Sequence, residues 1–205
     1  MPASIAIGKQ QAKSIRAREA ICEATIGLLV EFGYAETSLN RVASKAGFSK
    51  GALQHHYPSK EDLIAATLNR LLERPFKRAR NPVKNAEEAL MVAWTKYINT
   101  PAYRALLEIF NAARTDDLLQ TRIADELLDW GRALDEQSLE QYEAISGDDD
   151  EVVMLLNMTR SFMRGLLVQE SYGNDRVKSL LYIKKWISLI SPLIKLRVEE
   201  LRVEE

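Results

Sequence analysis

Residues 37–60 read Thr-Ser-Leu-Asn-Arg-Val-Ala-Ser-Lys-Ala-Gly-Phe-Ser-Lys-Gly-Ala-Leu-Gln-His-His-Tyr-Pro-Ser-Lys, two short helical patterns that meet at a glycine. In the first pattern Leu39, Val42, Ala43 and Ala46 stand at i, i+3, i+4 and i+7, one face of an α-helix. Thr37 or Ser38 can cap its start. Gly47 stands just past its end, where a left-handed residue is wanted, and Phe48 follows as an apolar plug. Ser49 offers the cap of a second helix that runs to about Tyr57. Pro58 stops it, because the residue before a proline is pushed away from helical angles. Two short helices joined by a tight glycine turn are the pattern of a helix–turn–helix.

The second helix is too polar for a buried element. Lys50, Gln54, His55 and His56 project from it, and only Leu53 and Tyr57 supply an apolar face. Gly51 and Ala52 are small enough to let the backbone approach another surface. Short residues at the N-terminal end with donors further along suit a major groove. An ordinary αα-corner with solvated polar residues would produce the same local pattern.

The same residues carry a family resemblance. Phe32-Gly33-Tyr34, Thr37-Ser38, Val42-Ala43, the run from Ala46 through Leu53, His56-Tyr57, and Ser59-Lys60-Glu61-Asp62-Leu63 together resemble the DNA-binding domain of the TetR family of bacterial repressors. The resemblance spans about residues 14–70 without a gap. One position departs: Gln54 stands where the family usually has a tyrosine that meets the DNA backbone. Glutamine can donate to a phosphate or read an adenine edge.

The resemblance implies an all-α protein. Its N-terminal three-helix helix–turn–helix domain would be followed by a helical ligand-binding and dimerisation domain. It implies a homodimeric repressor that places two recognition helices in successive major grooves of a palindromic operator and is released by a small molecule. On this reading Thr37, Ser38, Gln54, His56 and Lys60 meet phosphates, while Ser49, Lys50, Gly51, Ala52 and His55 face base edges. An activator that needs its ligand to bind DNA fits the same fold.

Composition agrees with that class. At 205 residues, one large or two small domains are expected. With 46% hydrophobic residues a real core is available, and no run alternates apolar and polar as a strand would. A single cysteine, Cys22, excludes an intrachain disulfide and fits a reducing compartment. No stretch is long and apolar enough to span a membrane, and the N-terminus carries no apolar signal region, so a cytoplasmic protein is expected. The net charge of −1 hides an asymmetry. Residues 1–80 hold 13 Lys+Arg against 7 Asp+Glu, and residues 81–205 hold 15 against 22. A basic first third suits a polyanion, and an acidic remainder stays off the phosphates.

In chain order, residues 1–13 read as a flexible arm. A helix follows over 14–32, with Ile21, Ala24, Leu28 and Phe32 as its stripe and Gly33 at its end. The DNA-binding domain is expected over 14–74. Ser59 caps a further helix, with Glu61 and Asp62 at its positive end and Lys60 beside that end, placed for a phosphate. The Arg- and Lys-rich stretch 74–81, with Pro75 and Pro82, reads as the domain boundary.

The ligand-binding and dimerisation domain is expected over 82–205. Helices are predicted near 85–99, from Thr100-Pro101 to about Arg114, over 115–145, over 150–171 and over 175–203, the last interrupted at Pro192. The acidic run 148–151 reads as a loop and helix start, because a calcium loop needs alternating ligands and a glycine turn. The closing Arg-Val-Glu-Glu repeat is expected to fray. Trp94, Tyr97, Tyr103, Phe110, Trp130, Met158 and Phe162 are candidates to line an effector pocket, although an aromatic at helical spacing is also plain core. Val152, Leu155, Leu156, Thr159, Phe162, Met163, Leu166 and Leu167 form one broad stripe. Val177, Leu180, Leu181, Ile187, Ile190 and Ile194 form another. Faces this wide predict a dimer interface of two helices from each subunit.

The pattern gives an enzyme little support. His55 and His56 are adjacent and point about 100° apart on a helix, so they cannot chelate one metal. No His-Glu-x-x-His spacing, Gly-rich phosphate loop or Ser-centred elbow is present. No cofactor and no metal are expected. A helical protein-interaction adaptor, using the acidic bundle, remains the alternative from another class, and it would bind no specific DNA sequence.

Overall fold

A computed structural model of the chain describes residues 8–73, 83–173 and 175–197. The predicted arm over 1–7, the boundary stretch 74–82 and the closing repeat over 198–205 lie outside these residues. Among the described residues the fold is helical apart from one pair of three-residue strands. None of their helices is long and apolar enough to cross a membrane.

Four helices open the chain: α1 (Lys9–Glu36), α2 (Leu39–Ala46), α3 (Lys50–His56) and α4 (Lys60–Leu72). α1 begins before the Ser14 start that its apolar stripe suggests, so residues 9–13 are helical and not an arm. It is broken within by Gly33, whose φ of 75° and ψ of 178° form a backbone conformation essentially confined to glycine. The predicted helix end is therefore a kink, followed by one more turn to Glu36. Gly47 terminates α2 in the left-handed region, and the Phe48 N–H donates to the Ala43 carbonyl at 2.9 Å, a closed C-terminal cap.

After α4 the described chain resumes with α5 (Ala86–Val92), which runs into a π-helical segment (Ala93–Ile98). Then come α6 (Pro101–Ala113) and α7 (Asp117–Gln141), β1 (Tyr142–Ala144), α8 (Asp149–Gln169) and α9 (Arg176–Ile190). A 3₁₀ turn (Ser191–Leu193) and β2 (Ile194–Leu196) complete the described chain. Pro192 falls in the 3₁₀ turn and ends α9, well short of the predicted residue 203.

Contacts divide the chain into two compact units. The first holds α1 to α4 with α6 and the first turns of α7, as far as Glu126. Its core is Ile21, Cys22, Ala24, Leu28, Val42, Ala43, Leu53, Tyr57 and Leu63, with Leu39, Ala46 and Phe48 packed against it. α1 packs on α2, α4 and α6, so it props the helix–turn–helix from behind. Phe32, predicted as part of the α1 stripe, is instead 43% exposed, with the Arg41 guanidinium 4.3 Å from its ring centroid. The kink at Gly33 immediately follows it, where the α1 stripe stops.

The second unit holds α5, the π-helical segment, the rest of α7, β1, α8, α9 and β2. α8 packs against α9, β1 and the π-helical segment, and α5 against α9. β1 and β2 pair antiparallel, with Tyr142 opposite Leu196 and Ala144 opposite Ile194. The two broad stripes read from sequence correct themselves here. Val152, Leu155, Leu156, Thr159, Met163, Leu166, Leu167, Ile187, Ile190 and Ile194 are buried within the chain. Val177 and Leu181 of the second predicted stripe stay exposed on α9, as do Tyr182 and Leu189, while α8 exposes Met154, Met158 and Val168, with Tyr172 exposed in the turn after it.

Candidate nucleic-acid interface

Three serines start three helices. Ser38 accepts from the Arg41 N–H at 3.3 Å, Ser49 from the Ala52 N–H at 3.1 Å and Ser59 from the Asp62 N–H at 3.0 Å. Each satisfies a backbone donor that a helix start leaves open. Leu53 is fully buried and Tyr57 is buried, and together they anchor α3 to the core. On the outer side Lys50, Gly51, Ala52, Gln54 and His55 are all exposed. The predicted base readers Ser49, Lys50, Gly51, Ala52 and His55 are thus all exposed at the start or along the length of this short helix, as is Gln54, predicted to meet a phosphate. Nothing lies within 4 Å of a Cβ built on Gly51, so the packing of the chain itself does not demand a glycine there.

Ser38 is exposed at its cap. His56 is half-buried, and burial above all, then the charges of Arg18 and His55, lowers its pKa below the ordinary 6.5. At neutral pH its imidazole is uncharged and can donate one hydrogen bond. Thr37 is placed differently from the other candidates. It is 1% exposed, and its hydroxyl donates to the Gly33 carbonyl at 2.8 Å. Its single hydroxyl proton is spent on the corner after α1.

Lys60 is half-buried at the first position of α4. Its Nζ donates to the Tyr34 carbonyl at 2.7 Å and lies 3.7 Å from the centroid of the Tyr34 ring. Burial draws its pKa down, opposed by the nearby carboxylates of Glu61, Asp116 and Glu36. Sequence reasoning named Lys60 but missed its support, Tyr34. The available signal was an aromatic directly after a helix-breaking glycine.

Residues 21–67 match the family model described as bacterial regulatory proteins, tetR family. An uncharacterised HTH-type transcriptional regulator of Mycobacterium tuberculosis is 28% identical over 173 residues, covering 78% of this chain and 88% of the relative. Residues 21–67 carry the DNA-binding domain of the TetR family.

With that domain it is a DNA-binding transcriptional regulator and not an enzyme. Solved TetR-like structures share its fold. A TetR-family regulator from Cytophaga hutchinsonii superposes with a TM-score of 0.66 at 20% identity, covering 88% of this chain and 96% of that one. A transcriptional regulator from Saccharomonospora viridis, solved in complex with choline, gives 0.62 at 18% identity, covering 90% and 100%.

The pocket candidates are divided between the two units. Tyr103 and Phe110 lie on α6 in the first unit, while Trp94, Tyr97, Trp130, Met158 and Phe162 belong to the second. Met158 is 48% exposed on the outward stripe of α8. Phe162 stacks on Trp186 with ring centroids 5.1 Å apart, and the Trp186 Nε1–H donates to Thr159 Oγ1 at 3.0 Å. Trp186 had no place among the sequence candidates, because the α9 periodicity was read from its aliphatic residues. Trp94 and Tyr97 both sit in the π-helical segment, a geometry often found at functional sites.

Proposed function

We propose that this regulator is a cytoplasmic, homodimeric repressor that holds a palindromic operator and releases it on binding a small organic molecule. The reading is carried by the apolar face left exposed on α8 and α9. On α8, Met154, Met158, Ser161, Gly165 and Val168 recur at alternating spacings of four and three, an exposed seam along one helix face. Ser161 and Gly165 at its centre let another helix approach closely. A second copy covers such a seam by two-fold symmetry, and a dimer presents two α3 helices to two half-sites.

Of the sequence candidates, Trp94, Tyr97, Trp130 and Phe162, joined by Trp186, are the favoured contacts for the effector. Aromatic faces attract organic cations, and the choline complex of the Saccharomonospora viridis protein supports that chemical class. The effector must bind better to a state whose recognition helices are wrongly spaced, since a ligand without that preference shifts nothing.

Selection of bound duplexes from a random DNA pool tests the reading. A palindrome whose half-sites lie about one helical turn apart, or a multiple of it, is expected, with release of the selected duplex by a quaternary ammonium compound. Recovery of single, unpaired half-sites would rule out the dimer, and recovery of no motif would rule out an operator-reading repressor.

A further inference from the structure

The end of α1 at Glu36 leaves a carbonyl free. In a helix that continued, the Tyr34 carbonyl would be taken by the N–H four residues on. Here it accepts instead from the Thr37 N–H at 3.1 Å and from Lys60 Nζ at 2.7 Å. The Tyr34 ring lies under the same ammonium, 3.7 Å from centroid to nitrogen. Carbonyl and ring face thus hold the nitrogen from two sides.

The ring is itself fixed. The Tyr34 hydroxyl donates to Asp116 Oδ2 at 2.8 Å, while Asp116 Oδ1 accepts from the Leu119 N–H at 3.0 Å and caps the start of α7. Burial first, then the Asp116 hydrogen bond, drives the Tyr34 phenol above its ordinary pKa, so it remains a donor. The Asp116 carboxyl lies below its usual value through the Leu119 N–H and the Tyr34 hydroxyl, so it remains an acceptor.

An ammonium has three hydrogens. One is spent on the Tyr34 carbonyl, and Lys60 is only half-buried. We infer that Tyr34 and Asp116 are positioning residues for DNA binding, which hold the Lys60 ammonium ready for a phosphate without touching DNA themselves. This rests on the reading of Lys60 as a phosphate ligand. It makes the start of α7, far from α3 in sequence, part of the grip on the backbone, because tilting the Tyr34 ring removes one wall of the ammonium site.

A double-mutant cycle on operator affinity tests it, using a duplex recovered by selection and a salt titration of each protein. Lys60→Ala is expected to weaken binding about 10-fold, as loss of a charged hydrogen bond does. It should lower the log–log salt slope by about 0.9 for each protomer. Tyr34→Leu should do the same, and the double variant should bind no worse than Lys60→Ala alone. Asp116→Ser keeps a capping hydroxyl and is too short to hold the Tyr34 hydroxyl as well, so it supplies the same cycle if Tyr34→Leu does not fold. Losses that add in the double variant, or a Tyr34 or Asp116 variant with an unchanged salt slope, would overturn the positioning role while the wild-type protein still binds DNA. A wild-type protein that binds no duplex would overturn the operator reading and this inference with it.

Discussion

The Thr37 hydroxyl donates to the Gly33 carbonyl at 2.8 Å, across a backbone turn whose φ of 75° and ψ of 178° suit glycine alone. This pair fixes the corner between α1 and the helix–turn–helix. Thr37→Val leaves this partly buried carbonyl without that donor and should cost about 1 kcal/mol of folding stability. Gly33→Ala should cost about 1–3 kcal/mol through backbone strain, and its Cβ would also stand 3.1 Å from Glu108 Oε2. Thermal unfolding checks both. A Thr37→Val protein of unchanged stability and weakened DNA binding would return Thr37 to the phosphate contacts.

Gly51 carries a second expectation. In a helix interior glycine is worse than alanine, and nothing in the free protein occupies the space of an added methyl group. Gly51→Ala should raise stability by about 0.4–1 kcal/mol. If α3 approaches base edges closely at this point, the same methyl should cost about 1–3 kcal/mol of operator affinity through overpacking. An alanine variant that is more stable and binds equally well would show that α3 leaves room there.

His56 predicts a pH dependence. Burial first, then Arg18 and His55, holds its pKa below 6.5 in the free protein. A phosphate beside the ring favours the charged form, so binding takes up a proton and operator affinity should rise as pH falls from 8 to 6. His56→Gln should flatten that rise. For folding the sign is opposite. The unfolded chain binds the proton more readily, so the stability that neutral His56 confers is present above pH 6.5 and declines as pH falls through that value. A wild-type affinity independent of pH would exclude a phosphate contact at His56.

The exposed seam makes a separable prediction. Leu181 is 60% exposed and Met158 48%, so glutamate at either should leave the fold intact. It should also place like charges across the two-fold axis of a dimer. Sedimentation is expected to shift from dimer to monomer, with the unfolding temperature of the monomer little changed. A variant that stays dimeric would place the interface elsewhere.

The helix–turn–helix was legible because its signals are local. Caps at Ser38, Ser49 and Ser59, a left-handed glycine at 47 and a proline at 58 each act within a few residues. The contacts that tune the site are not local. The Tyr34–Asp116 bond spans 82 residues of sequence, and nothing in the periodicity of either helix announces it. The pairing of β1 with β2 escaped for a similar reason: three-residue strands leave no alternation to read. The wide stripes of α8 and α9 were real, but periodicity alone could not say which apolar face a chain buries in itself and which it leaves for a second copy. Thr37 looked like a surface cap because its partner, the Gly33 carbonyl, exists only once the helix is broken there.

The most direct measurement of the central claim, that α3 and the helix starts around it grip a DNA backbone, is the salt dependence of affinity for a selected duplex. If a dimer neutralises about 6–10 phosphates, affinity should fall about 10³–10⁵-fold between 50 and 200 mM salt. An affinity that hardly changes over that range would contradict the phosphate contacts and, with them, the assignment of this face as the DNA-binding surface.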